Sequence, residues 1–324
     1  MAKAKNTING KAFEYACLQA LLSKIQQEGK SVSTLSNKPF LTAQEAFNTV
    51  SDKERTDLMC AAQTAVKLLV PLEPKLLGGE GMLQLEIAAD ASAIGSAGDV
   101  RDVLCVREEG SEPWTIGLSC KHNHEALRHP RITEKKDFGV DWLGISCDKS
   151  FIEAVTPVTD SLIFYGVNNT PWRLIESKQD NYYLPILKAY LDEIRRMCSV
   201  DPSIPERLLS YFFGANDFYK VIMKSSSRTT TIEGFNMHGT LNGSCGKVKA
   251  LTKVPLIKMP TRLIDAAFKQ NSKTTIILTF DGGWSISMRL HNKDEIARPT
   301  SLAWDVNLVG LPPTTYVNTH SWDE

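Results

Sequence analysis

Asp99-Val100-Arg101-Asp102-Val103-Leu104-Cys105-Val106-Arg107 is followed, after a turn rich in Glu, Gly and Pro, by Trp114-Thr115-Ile116-Gly117-Leu118-Ser119-Cys120-Lys121, and the pair reads as two antiparallel strands. In the second run Trp114, Ile116, Leu118 and Cys120 alternate with Thr115, Gly117, Ser119 and Lys121. A period of two therefore sends Ser119 and Lys121 to the same face. With Arg107 opposite Trp114, the register carries Asp102 to Ser119 and within reach of Lys121. A slip of one residue turns Asp102 to the other face, and Asp99 is then the fallback acid. An acid before a strand also serves ordinary turn chemistry, so the Asp102/Lys121 pair needs support from elsewhere in the chain.

Working outward, Leu83 to Ala91 is a third short β-prone run, which makes the region a meander. Upstream, Phe13, Cys17, Leu21 and Ile25 recur at helical spacing from Gly10 onward, and a second helical stretch runs from Thr42 to Val70 before Pro71 and the turn from Pro74 to Gly81. Glu14 lies on the side of the first helix that carries Leu18, Leu21 and Ile25. It is either a carboxylate leaning toward a partner in the core or a first-turn Glu favoured by the helix dipole. Downstream, helices near Phe151 to Val155 and from Tyr183 to Met197 flank the apolar run Ser161 to Tyr165, which reads as a strand. The pattern is a mixed α/β core.

The prolines at 202 and 205 mark a domain boundary near residue 200. That divides the chain into a catalytic core over residues 1–200 and a region over 201–324, fused to it or separate. The sum of charges is zero, with 37 Lys and Arg against 37 Asp and Glu. Their distribution is not even: ten Lys or Arg fall between Phe218 and Lys273 against only Glu233 and Asp265. Such a segment is a solvated face or a phosphate-binding surface. Another concentration of polar groups runs from Lys121 through His122, Asn123, His124, Glu125, Arg128 and His129. In Gly283 to His291 strict alternation places Ser285, Ser287, Arg289 and His291 on one strand face.

Several classes are excluded. With 42% hydrophobic and 23% charged residues the chain is neither disordered nor fibrous. No apolar run of about 18 residues is present for a spanning helix, and the first residues lack a secretory pattern, so a cytoplasmic protein is expected. The seven cysteines are scattered without any C-x-x-C pair, and the spacing of Cys120, His122, His124 and His129 fits no common zinc site. Nucleophile elbow, P-loop and dinucleotide fingerprint are absent.

Five stretches taken in order, Gly10 to Glu14, Gly98 to Val103, Gly117 to His124, Tyr211 to Lys220 and Gly283 to Asn292, resemble a PD-(D/E)XK nuclease, more narrowly a HaeIII-type restriction endonuclease. The resemblance implies a restriction-endonuclease-like mixed sheet flanked by helices, with a C-terminal α+β DNA-recognition region. It also implies a type II enzyme that hydrolyses double-stranded DNA with Mg2+ at a GGCC-like palindrome, works as a homodimer on DNA and is accompanied by a protective methyltransferase. Carried onto this sequence, Asp102 matches the metal-binding acid, Lys121 the motif lysine and Glu14 the helix carboxylate. Ser119 stands where the family pattern has Asp or Glu. A serine oxygen is a poor Mg2+ ligand, so one ion held by Asp102, Glu14 and the Cys120 main-chain carbonyl is favoured over two. Asp99 and Glu125 are candidates to replace the missing acid. Lys121 then orients or deprotonates the attacking water, or stabilises the phosphorane. Arg289 is the candidate for a guanine O6/N7 edge and Lys247, Lys249 and Lys253 for phosphates, while His291, His122, Asn123 and Arg128 are candidates for DNA contacts more broadly. The competing readings are a repair or nonspecific nuclease of the same fold, and a DNA-binding protein with a decayed site.

Overall fold

The computed structural model describes residues 2–89, 99–109, 112–123, 126–134 and 137–322. In chain order the first half forms α1 (Ala2–Gln27), β1 (Val32–Thr34), α2 (Lys38–Thr49), α3 (Asp52–Leu69), β2 (Leu83–Ile87), β3 (Val103–Glu109), β4 (Glu112–His122), β5 (Ala126–Arg128), α4 (Phe138–Leu143) and α5 (Lys149–Val167). The second half forms α6 (Leu184–Val200), α7 (Ile204–Phe213), β6 (Phe218–Lys224), β7 (Thr229–Phe235), β8 (Leu263–Phe268), β9 (Thr275–Phe280), β10 (Ser285–Asn292), β11 (Leu302–Gly310) and β12 (Tyr316–Ser321). Two compact units result. The first combines Met1–Glu125, Asn216–Ile257 and Thr314–Glu324, and the second combines Ala126–Ala215 with Lys258–Pro313.

In the first unit seven strands lie in the order β1-β2-β3-β4-β6-β7-β12. β1 with β2 and β4 with β6 are parallel, and the other pairs are antiparallel. Parallel neighbours need a crossover, and the one between β4 and β6 holds all of α4 to α7. One sheet face carries Leu85, Val103, Cys105, Ile116, Leu118, Cys120 and Val221, which form a core with Phe13, Cys17, Leu21 and Ile25 of α1 and Leu58, Ala62 and Leu69 of α3. The helical spacing of one set and the period of two of the other meet there. Arg107 faces Trp114, the register expected from the sequence, and the ladder continues to Glu109 opposite Glu112.

In the second unit β5-β11-β10-β9-β8 form an antiparallel sheet. Aromatic packing dominates its interior: Phe138 stacks on Tyr190 at 4.4 Å between ring centroids, and Tyr190 meets Trp304 at 4.8 Å. Trp284 is fully buried against Phe213.

Three expectations change. The stretch from Thr42 to Val70 is two helices, because Val50 is extended and Ser51 caps α3. The Ser51 hydroxyl accepts the Glu54 N–H, and the Glu54 carboxylate accepts the Ser51 N–H. Ser161 to Tyr165 lies inside α5 and is not a strand. A five-residue apolar run fits either element, and its neighbours decide: Leu162 is buried while Phe164 is exposed, and the hydroxyls of Thr156, Thr159 and Ser161 donate to carbonyls four residues back. The division of the chain does not fall at residue 200, because β6, β7 and β12 complete the first sheet and α4 to α7 belong to the second unit.

Candidate active site

Asp102 sits immediately before β3, one step beyond the last ladder pair of Val103 with Leu118. Its own N–H bonds to the Leu118 carbonyl at 2.7 Å, and its Oδ2 accepts the Cys120 N–H at 2.7 Å. The carboxylate thus replaces a ladder partner and is fixed by main chain on both sides. Lys121 follows on the face of Ser119, and its Nζ stands 4.0 Å from Asp102 Oδ2. Glu14 arrives from α1, is 7% exposed and pairs with Lys11 Nζ at 3.1 Å. The Cys120 thiol is pushed well above its ordinary pKa, first by its hydrogen bond with Cys17, then by burial, and further by the Asp102 and Glu14 carboxylates. Both acids therefore act on one point of β4. Ser119, at 2% exposure, is buried between the flanking strands.

The remaining expected residues divide. Asp99 is taken by Arg101, whose Nε lies 2.8 Å from Oδ1 and Nη2 2.5 Å from Oδ2, while Asn216 Nδ2 donates to Oδ2 at 3.3 Å. The fallback acid is therefore engaged by Arg101 and Asn216. Asn123 has left-handed backbone, and its amide is engaged with Ser225: Oδ1 accepts the Ser225 N–H at 2.8 Å and Nδ2 donates to Oγ at 3.1 Å. It ties the end of β4 to the turn after β6. His122 is half-buried beside it. Lys247, Lys249 and Lys253 are exposed in the loop after β7. In the second unit Arg289 is exposed on β10, with Nη2 2.9 Å from Asp305 Oδ2, and His291 is half-buried two residues on. Gly98, His124 and Glu125 lie outside the described residues, as does the side chain of Arg128.

The family model for the HaeIII restriction endonuclease matches residues 10–312. The chain belongs to the HaeIII restriction endonuclease family. It is 36% identical over 321 residues to the type II restriction enzyme HaeIII of Haemophilus aegyptius, covering 99% of each chain. No solved structure matches. The mixed core sheet flanked by helices is the restriction-endonuclease-like fold of this family, and membership makes the protein a type II, site-specific deoxyribonuclease that acts on DNA.

Restriction endonucleases of type II use a divalent cation, and the donors around Asp102 fit a hard one. Asp102 and Glu14 would supply carboxylate oxygens. In a strand the N–H and C=O of one residue leave on the same side, so the Cys120 carbonyl also points past the end of the β3 ladder toward Asp102. Among the described residues no third acid, His or Cys joins them in a cluster. No helix among the described residues is long and apolar enough to cross a membrane. Sequence reading missed two buried groups, one within the same sheet and one in the segment before β2. Lys220 on β6 pairs with Glu233 on β7 at 3.4 Å. Glu73 accepts the Tyr219 hydroxyl at 2.7 Å and the Asn242 N–H at 2.5 Å. The signal available for Lys220 was its position in an otherwise apolar run, Phe218 to Met223.

Proposed function

We propose that this enzyme cuts both strands of double-stranded DNA at a GGCC-like palindrome with Mg2+, using Asp102, Glu14 and Lys121. The observation that carries the reading is the approach of Lys121 Nζ to a carboxylate that the Cys120 N–H holds in place. Mg2+ held by Asp102, Glu14 and the Cys120 carbonyl would supply Lewis-acid charge to the scissile phosphate. Asp102 is positioned by main chain before substrate arrives, so this carboxylate needs no reorientation to act. Lys121 orients the attacking water and compensates the charge that grows on the non-bridging oxygens. Ser119 contributes packing and a hydroxyl, not a metal ligand.

The first unit serves as catalytic core. The exposed lysines 247, 249 and 253 bind phosphates, and β10 of the second unit reads bases through Arg289 and His291. Arg128 and His122 are placed with the backbone contacts. A palindrome read by a closed pair of chains implies a homodimer on DNA, and self-protection implies a cognate methyltransferase in the same cytoplasm.

Incubating the purified protein with unmethylated phage DNA, with and without Mg2+, beside a digest by a known GGCC cutter tests the reading. Matching Mg2+-dependent bands are expected. Different discrete bands would discard GGCC, a smear would indicate a nonspecific nuclease, and intact DNA that shifts on a gel would indicate a binder without chemistry.

A further inference from the structure

From Asn236 to Arg262, between β7 and β8, the chain forms neither helix nor strand, yet its backbone is fixed. Cys245 and Val248 exchange both main-chain hydrogen bonds, at 2.9 and 3.0 Å, around a left-handed Gly246. The Leu251 N–H donates to the Pro71 carbonyl at 2.9 Å, and the Asn242 side chain bonds Leu72, Thr252 and Val254. A Cβ on Gly78 would meet the Cys245 Sγ at 2.6 Å, so the turn lies directly on that segment. The Asn242 N–H reaches Glu73, which also accepts the hydroxyl of Tyr219, the strand partner of Leu118. Irregular loops of this length are as a rule either disordered or functional, and this one is tied down along its course.

Its apolar side chains divide into two sets. Leu241, Val254 and Ile257 are buried and anchor the loop, whereas Val248 is 62% and Leu251 84% exposed. No other large apolar side chain among the described residues is as exposed as Leu251. Scattered apolar residues are ordinary on a surface, but these two are interleaved with Lys247, Lys249 and Lys253 on one anchored backbone. The fixed main chain gives Leu251 no route into the core, so only a partner can take its surface out of water. Charge selects that partner. The sequence has no acid between Glu233 and Asp265, which suits a polyanion. Resting on the reading of the three lysines as phosphate contacts, we propose that Leu251, with Val248, packs against the deoxyribose carbons between the phosphates those lysines hold. The loop then grips the DNA backbone by apolar contact as well as by charge, without regard to base sequence.

The test is a salt titration of DNA affinity by fluorescence anisotropy, with the full-length protein, a duplex of its recognition sequence and a duplex lacking it, both carrying uncleavable phosphorothioate linkages. Leu251→Ser is expected to weaken binding about threefold to tenfold at every salt concentration, with the wild-type salt slope, because it removes apolar contact and no charge. The loss should be equal on the two duplexes, since every nucleotide carries the same sugar, and Leu251→Met should restore affinity. Because Leu251 is exposed in the free protein, the urea midpoint of Leu251→Ser should match the wild type. A lowered midpoint would instead assign Leu251 to the fold and overturn the proposal. So would unchanged affinity, a loss confined to the recognition sequence, or an equal loss in Val200→Ser, an apolar residue of α6 that is 72% exposed. Dissociation of a DNA-free dimer by Leu251→Ser in sedimentation would also overturn it, by giving the loop to a second copy of the chain. Failure of the underlying lysine reading looks different: Lys247→Ala, Lys249→Ala and Lys253→Ala would then all keep the wild-type salt slope.

Discussion

Asp102 has two tasks that depend on one geometry. It takes the Cys120 N–H where the β3 ladder ends, and it faces Lys121 at 4.0 Å. Asp102→Ala and Lys121→Ala are each expected to reduce cleavage by at least about a thousandfold while leaving gel-shift affinity largely intact. Loss of binding instead would make them structural. Ser119→Ala is expected to change the rate by less than about tenfold, since it removes no charge. Gly117 tests the support from the other side. A Cβ there would collide with Cβ and Cγ of Arg101, the residue that clamps Asp99 three positions before Asp102. Gly117→Ala is therefore expected to lower kcat with the far-ultraviolet circular dichroism unchanged, and a wild-type kcat would show that the clamp does not position Asp102.

At the scale of elements, Glu73 joins the segment before β2 to β6 and to the loop after β7. Tyr219 and Asn242 donate to it, and the Asn242 side chain bonds Leu72, Thr252 and Val254. Burial raises its pKa from 4.5 to about 7, against the lowering effect of those two hydrogen bonds. Here the folded value lies above the unfolded one. The native state thus keeps a proton that the unfolded chain has already released, and the associated stability is present below about pH 4.5 and lost as pH rises through about 7. Glu73→Gln removes this dependence. Between pH 5 and pH 8 the urea midpoint of the wild type is expected to fall relative to that of the variant, and parallel midpoints would show that Glu73 does not titrate in this range. The cap of α3 gives a separate check: Ser51→Ala is expected to cost about 1 kcal/mol in urea unfolding.

The whole molecule is interleaved. Residues 1–200 contain only four of the seven strands of the first sheet, and β4 within them lacks its parallel partner β6. An expressed 1–200 fragment is accordingly expected to aggregate or be digested rapidly by trypsin, because the open edge of β4 and the face of α3 that packs on β6, β7 and β12 are left without cover. A protease-resistant, cooperatively unfolding fragment would contradict this. For DNA binding, replacing Lys247, Lys249 or Lys253 by Ala is expected to weaken specific and nonspecific complexes alike and to reduce the salt slope by about 0.9 for each phosphate that is no longer neutralised. Arg289→Ala should instead relax preference at one base position.

Much of the site's framework follows from local order in the chain. The alternation in Trp114 to Lys121 and the turn beyond Arg107 determined the register of β3 with β4, because a period of two and a short turn leave one pairing that buries Ile116, Leu118 and Cys120. The spacing of Phe13, Cys17, Leu21 and Ile25 likewise determined the buried face of α1. Tertiary structure alone decided that Asn216 donates to Asp99, that Asn123 fastens a turn and that Lys220 and Glu233 stand in line with Ser119. These depend on which strand lies beside which. The parallel neighbour of β4 begins about a hundred residues away in sequence, and no periodicity within either strand encodes that choice.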